Sequence, residues 1–261
     1  MRKEPKIYLP RIFTTLFYTV FLLYTARLAL RITQAINIEM SRAQMVGAVP
    51  NPGKALSQFS GQITFFLFFF LLVYAVDILT YGMYARIVHD YHSKKKISLT
   101  TALSGALKKF KTLFLLGLLI LVFMGLFLVL YSFLSSAFII TQNPVFLVIT
   151  LLILLTAFIS FALIFFFSVP VTVLEDKKLS EVVTTSMRLG MRNKGIVLKM
   201  NFLFGGLILV TLGVAMYTDF KGKLGAAAAI AFIVGRLAQA LVYTYISVVN
   251  PTAYLKLEEK T

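Results

Sequence analysis

The sequence contains no cysteine, no tryptophan, two histidines and only ten acidic residues among 261 positions. Without cysteine there is no disulfide, no thiolate nucleophile and no thiolate-held metal or iron–sulfur cluster. Without tryptophan, an aromatic belt at a membrane surface must be built from the 12 tyrosines, helped by the 25 phenylalanines. His89 and His92, three apart with Asp90 between them, are the weak metal candidates; two ligands do not close a site. An ordinary polar helix end explains them better, and no metal or other cofactor is expected. Neither His-Glu-x-x-His nor Gly-x-x-x-x-Gly-Lys-Ser/Thr occurs.

What the chain does have is apolar length and positive charge. Hydrophobic residues make up 59%, against about 45–50% in soluble domains. Lys and Arg number 26, for a net charge of +16. In a soluble chain such a balance points to nucleic acid. Here basic loops facing anionic headgroups account for it, and no nucleic-acid partner is expected.

Six apolar stretches read as spans, at about 12–34, 62–88, 112–137, 145–173, 196–217 and 224–248. Runs this long and unalternating are helical rather than barrel strands. The expected fold is a single all-α polytopic membrane domain over 1–261. It has six transmembrane helices, two cytoplasmic amphipathic interfacial helices and a parallel hairpin repeat. The first run continues past Leu30 with no small-residue cleavage pattern, so it is read as a retained span.

Charge bias sets the orientation. Arg2, Lys3, Lys6 and Arg11 precede the first span. Lys94, Lys95, Lys96, Lys108, Lys109 and Lys111 lie in the second connection, and Lys177, Lys178, Arg188, Arg192 and Lys194 in the fourth. Lys256 and Lys260 follow the last span. With six spans these roughly seventeen cations share one side, against Arg42, Lys54, Lys221 and Lys223 on the other. Both termini are therefore expected in the cytoplasm, and the location is the plasma membrane.

The connections differ in kind. Thr141-Gln142-Asn143-Pro144 reads as a tight external hairpin, and residues 218–223 as a short one. The first, about 35–61, reads as a helical extension through Ile36, Ile38 and Met40, then an irregular loop with Pro50-Asn51-Pro52-Gly53. Residues 97–111 and 179–194 look alike. In one, Leu99, Leu103, Ala106, Leu107 and Phe110 recur at helical spacing; in the other, Leu179, Val182, Val183, Met187 and Leu189 do so. Each opens near a serine and ends in basic residues, the pattern of a helix lying in the interface. Each precedes a pair of spans, which suggests duplication; convergence of basic inside loops is the competing explanation.

The most distinctive text is Val169-Pro170-Val171-Thr172-Val173-Leu174-Glu175-Asp176-Lys177-Lys178, followed by Ser186-Met187-Arg188-Leu189 and Asn193. A similar design occurs at Ala85-Arg86-Ile87-Val88-His89-Asp90 through Ala102-Leu103. This resembles the six-span membrane family related to the membrane domain of glycerophosphoryl diester phosphodiesterases, which includes stand-alone members of unknown function. The resemblance implies a membrane fold. It does not imply a hydrolase, because that family's catalytic barrel is a separate domain for which this chain has no room.

Few residues inside the spans can carry chemistry. Asp77 is the sole acid within a span and is expected to face the bundle interior, neutral or paired. At 1.5 Å per residue it lies roughly 22 Å, and Arg236 roughly 18 Å, from the external ends of their spans. They are at comparable depth for pairing, either as a charged site or as a structural ion pair. Arg27 and Arg31 lie four apart on one face. They snorkel to outer headgroups or form, with Tyr24, a site for an anionic headgroup. Arg86 is expected to snorkel. Ser160 and Ser168 have no recognisable base. Pro170 should kink or end the fourth span. Gly117, Gly205-Gly206, Gly213, Gly225, Gly235 and Ala226–Ala229 suggest close helix packing.

The function expected from these features is non-enzymatic: a membrane protein that handles or organises lipid. The basic residues Lys94, Lys95, Lys96, Lys108, Lys109, Lys111, Arg188, Arg192 and Lys194 would touch anionic headgroups. The alternatives are a small transporter or channel with Asp77 and Arg236 lining its path, and a scaffold or accessory subunit. A protein partner or homo-oligomer is compatible with each.

Overall fold

A computed structural model describes residues 4–49, 51–220 and 226–259, and for residues 52, 55, 211–220 and 226–231 the backbone alone. Every regular element among the described residues is helical. In order they are a 3-10 turn (Pro5–Tyr8), α1 (Leu9–Met45), α2 (Pro52–Ser57), α3 (Ser60–His92), α4 (Leu99–Lys108) and α5 (Phe110–Thr141). Then come α6 (Pro144–Phe165), α7 (Ser168–Leu174), α8 (Leu179–Arg192), α9 (Lys194–Phe220) and α10 (Ala226–Glu258). Five segments are long and apolar enough to cross a membrane: Pro5–Met45, Ser60–His92, Phe110–Thr141, Pro144–Leu174 and Phe232–Glu258. The pair α8 and α9, bent by 98°, makes a sixth if counted as one broken span. The expected loop positions Lys221, Gly222 and Lys223, together with Gly225, Arg2, Lys3, Pro50 and Lys260, lie outside the described residues. So do the side chains at Gly213 and Ala226–Ala229.

Local chemistry accounts for the element ends. The hairpin between α5 and α6 turns at Gln142, in the left-handed region at φ 52°. Asn143 Oδ1 then accepts from Val145 N at 3.0 Å, and Pro144 occupies the first turn, where its missing N–H costs nothing. Ser98 caps α4 by accepting from Thr101 N. α1 runs unbroken to Met45, about 55 Å at 1.5 Å per residue. This includes the extension through Ile36, Ile38 and Met40.

The core is gathered at one end. Much of the C-terminal half of α3 is buried, including Ile78, Tyr84, Ala85, Ile87 and Val88. A second cluster centres on Phe167, Val171, Val182, Val197 and Tyr254. Away from this end the shafts are bare: Val129, Phe133, Ile139 and Ile140 on α5 and Val145, Leu151 and Leu152 on α6 are all more than half exposed. Soluble monomers do not leave so much contiguous apolar surface open. Hydrocarbon covers such helices without cost, since their backbone groups are satisfied internally.

The fourth apolar segment breaks between α6 and α7. Pro170 has no N–H to give to the carbonyl four residues back, that of Phe166. Asn250 Nδ2 of α10 donates to that oxygen instead. Ser168 Oγ donates to Phe165 O at 2.7 Å, and Ser186 Oγ of α8 to Ile164 O at 2.6 Å. Three side chains thus satisfy three carbonyls in and beside the break, as buried backbone requires. The kink expected at Pro170 falls earlier, at the acceptor that the proline leaves without its usual donor.

The two short helices pack inward through small residues. Ala102 and Ala106 of α4 are fully buried, as are Val182 and Ser186 of α8. Gly190 presses on the backbone carbonyl of Leu163 in α6. Leu103, Leu107, Met187 and Met191 point outward and stay exposed. The apolar residues of each helix therefore divide between a protein-facing and an outer side, where the sequence pattern suggested one stripe. Gly117 lets the Tyr74 ring lie against α5, and the Tyr74 hydroxyl donates to its carbonyl at 2.7 Å. Side chains added at Gly205 or Gly206 would meet nothing within 4 Å among the described residues.

Candidate functional site: a polar seam and a basic end

The polar groups inside the spans centre on Arg11. Its side chain is 8% exposed and forms an ion pair with Asp77 of α3. Its Nε donates to Ser247 Oγ of α10 at 2.9 Å. The guanidinium carbon lies 5.6 Å from the ring centre of Tyr81 and 6.0 Å from that of Tyr84, within cation–π range. Thr14 and Thr80 share a hydrogen bond at 2.7 Å, and the Tyr84 hydroxyl donates to Ile7 O at 2.6 Å. One end of α1 is thereby tied to both α3 and α10.

The seam continues along one face of α10 at spacings of three and four. Ser247 Oγ donates to Tyr243 O at 2.7 Å, and Gln239 Nε2 donates to the Tyr243 hydroxyl at 3.0 Å. Arg236 Nη1 donates to Gln239 Oε1 at 2.7 Å and lies over the Phe232 ring at 5.1 Å.

Two expectations about the seam need correction. The cation paired with Asp77 is Arg11, not Arg236, which is held by its own helix. Asp77 does not sit in a closed interior either; its side chain is 49% exposed, at the edge of the seam. By sequence position Arg11 groups with the basic N-terminal stretch. A signal was present: Ile7, Arg11, Thr14 and Thr15 share one helical face, and all four are buried.

Arg27 and Arg31 are exposed and form no ion pair among the described residues. The Tyr24 hydroxyl donates to Gln62 O, so it does not join them in a headgroup site. Arg86 pairs with Asp90 at 3.4 Å rather than snorkelling free. His89 lies 3.5 Å from Asp90, and His92 lies 3.5 Å from Glu259. The two imidazoles thus have separate partners, and no cluster of three potential metal ligands occurs among the described residues.

None of the family models, curated proteins and solved structures compared with this chain matches it.

The basic residues meet at the core end. The ion pair Lys109–Asp176, the contact between His92 and Glu259 and the hydrogen bond from Tyr254 to Glu175 join the ends of α3, α4, α7 and α10 there. Lys109's hydrogen bond and charge hold the Asp176 carboxyl below the ordinary aspartate value. Lys109 is therefore engaged within the protein rather than free for lipid. Lys94, Lys95, Lys96, Lys108, Lys111, Arg188, Arg192 and Lys194 are exposed, with no ion pair among the described residues. Lys94, Lys95 and Lys96 line an open cleft of about 830 Å³ with Lys6 and Lys256, which lie far from them in the sequence.

Proposed function

We propose that this chain is a non-enzymatic, multi-pass membrane protein that engages anionic lipid through its basic end. One observation carries the proposal: exposed Lys and Arg side chains collect at the end that holds the core, while the apolar shafts leading away from it are uncovered. A bilayer would cover the shafts and place the cations at its headgroups. The carboxylates of Asp77, Asp90, Glu175 and Asp176 are occupied by cations, which supports a structural use for them rather than proton transfer. The proposal includes six spans, α4 and α8 as interfacial helices, both termini in the cytoplasm and the plasma membrane as the location. It also keeps the resemblance to the phosphodiesterase-related membrane family. A repeat is supported by burial: at one constant offset, Ala102 matches Ser186, Ala106 matches Gly190 and Leu113 matches Val197, and all six are buried.

The test is native mass spectrometry of the full chain released from mild detergent with equal phosphatidylglycerol and phosphatidylcholine. Several-fold enrichment of the anionic lipid is expected, reduced by glutamine at Lys94, Lys95, Lys96, Arg188 and Arg192 together. Equal retention of both lipids would refute the proposal. Orientation is read separately: Asn143→Cys should label in intact cells, and Lys95→Cys only after permeabilisation.

A second reading, transport along the seam, is favoured by the half-exposed Asp77 beside a buried arginine and the polar face of α10. It requires ion or solute flux in liposomes that Asp77→Asn abolishes.

A further inference from the structure

We infer that the cleft at the basic end is a defined site for a multiply charged phosphate group. This deepens the lipid-engaging reading and rests on it for the cleft's place beside the headgroups. Three parts of the chain build the cleft. Lys6 comes from the 3-10 turn, Lys94, Lys95 and Lys96 from the turn after α3, and Lys256 from the end of α10. Five lysines line the cleft against a single acidic residue, Glu4, and none of the five has an ion pair among the described residues. Like charges gathered in this way repel, and a bound polyanion removes the repulsion.

The backbone holds the cations in place. Lys95 N donates to Asp90 O at 2.8 Å and Lys94 N to Tyr91 O at 3.1 Å, closing the end of α3. Lys94 takes the left-handed conformation, φ 54°. Glycine or asparagine ordinarily fills such a position. Lysine there keeps a third cation at the mouth of the cleft.

The chemistry fits phosphate better than carboxylate. Each lysine is a compact point charge with three donors, and five of them on one cleft suit a group with several dispersed anionic oxygens rather than a single carboxylate. Tyr91 and Thr252 add hydroxyls to the lining, while Val88 and Ile97 supply apolar wall. A volume of about 830 Å³ accommodates a group with two or three phosphates. Such a group can come from a lipid headgroup or from a soluble polyphosphate.

The experiment uses the full chain in nonionic detergent. Cardiolipin, phosphatidylglycerol and phosphatidylcholine are titrated by native mass spectrometry, and inorganic tripolyphosphate by calorimetry. The variant Lys94→Gln/Lys96→Gln/Lys256→Gln is compared with Arg42→Gln/Lys54→Gln/Lys199→Gln, which neutralises three exposed cations that do not line the cleft. Melting curves check that both fold as wild type. Each lysine near a charged surface contributes roughly fivefold, so the cleft variant should lose on the order of 100-fold in cardiolipin affinity. The control should lose less than about threefold. Cardiolipin binding without tripolyphosphate binding identifies a lipid headgroup as the ligand; tripolyphosphate that competes identifies a soluble anion; either supports the site. Equal losses in the two variants, or none in the cleft variant, would overturn the cleft while leaving a general attraction to anionic lipid standing. Indifference of the wild type to lipid charge would overturn both readings.

Discussion

Gly190 and Gly105 sit in the two short helices, and alanine is expected to act in opposite directions at the two positions. A Cβ on Gly190 would collide with the Leu163 carbonyl oxygen, and would lie 2.9 Å from its carbon and 3.2 Å from its Cα. These are backbone atoms, so no side-chain rotation relieves the clash. α8 has to move off α6, and the Ser186 Oγ–Ile164 O hydrogen bond at 2.6 Å stretches with it. Overpacking of this kind costs about 1–3 kcal/mol and a lost buried hydrogen bond about 1 kcal/mol more. Better helix propensity returns up to about 1 kcal/mol. The net expectation is a loss of roughly 2–3 kcal/mol. At Gly105 the nearest atoms are Arg86 Cγ at 3.6 Å and Cδ at 3.8 Å, ordinary contacts with a flexible side chain. There only the propensity gain remains, about 0.5–1 kcal/mol. The chain has no tryptophan, so the assay is circular dichroism at the helical band during thermal unfolding in detergent. At about 2–4 °C per kcal/mol for a chain of this size, Gly190→Ala should melt roughly 5–10 °C lower and Gly105→Ala roughly 2 °C higher. A Gly190→Ala protein as stable as wild type, or equal losses at both sites, would refute the close α6–α8 contact.

Three further outcomes follow from the same geometry. Asn250→Leu removes the donor to Phe166 O, leaves that carbonyl unsatisfied, and should destabilise by about 1–3 kcal/mol in the same melt; no change would mean another donor fills the break. Arg11→Met should destabilise more than Asp77→Asn, because Arg11 is buried with contacts on α3 and α10 while Asp77 is half exposed; a reversed order would contradict the seam. Asp176 has a lowered folded pKa, so its pairing with Lys109 contributes above the ordinary aspartate pKa and is lost as pH falls through the folded value. Melting followed from about pH 6 to 3 should therefore show a slightly shallower decline for Asp176→Asn, and parallel curves would count against the pairing.

Hydropathy is a local property, which is why the long helices, the Gln142–Asn143 hairpin and the extension of α1 were legible in the sequence. The positions of α4 and α8 were legible too, from serine near the start and basic residues at the end. Their packing was not, because Ala102, Ser186 and Gly190 look unremarkable until a neighbouring helix arrives at close range. Arg11 is the clearest case. Next to Lys3 and Lys6 it reads as one more cation of a basic leader, and its burial depends on Ser247, which lies 236 positions away. The cleft lysines share this difficulty: Lys94–Lys96 are conspicuous, but Lys6 and Lys256 join them only through the meeting of α10 with the N-terminal turn. The 98° bend between α8 and α9 falls at Asn193, where the pattern of 179–194 gives way to the apolar run from 196.

The bond from Arg11 to Ser247 also sets an order of events during synthesis. Arg11 emerges 66 residues before Asp77 and 236 residues before Ser247. At typical elongation rates of about 5–20 residues per second, the guanidinium waits roughly 10–50 s for its last partner. Asp77 reaches it first and neutralises it, so the first and third helices form a provisional pair. Only when the final helix returns does Ser247 complete the set and Ile7 lose its water. A ribosome stalled before that point holds a protein whose opening helix is still unlocked, visible as such to any factor that surveys unfinished membrane chains.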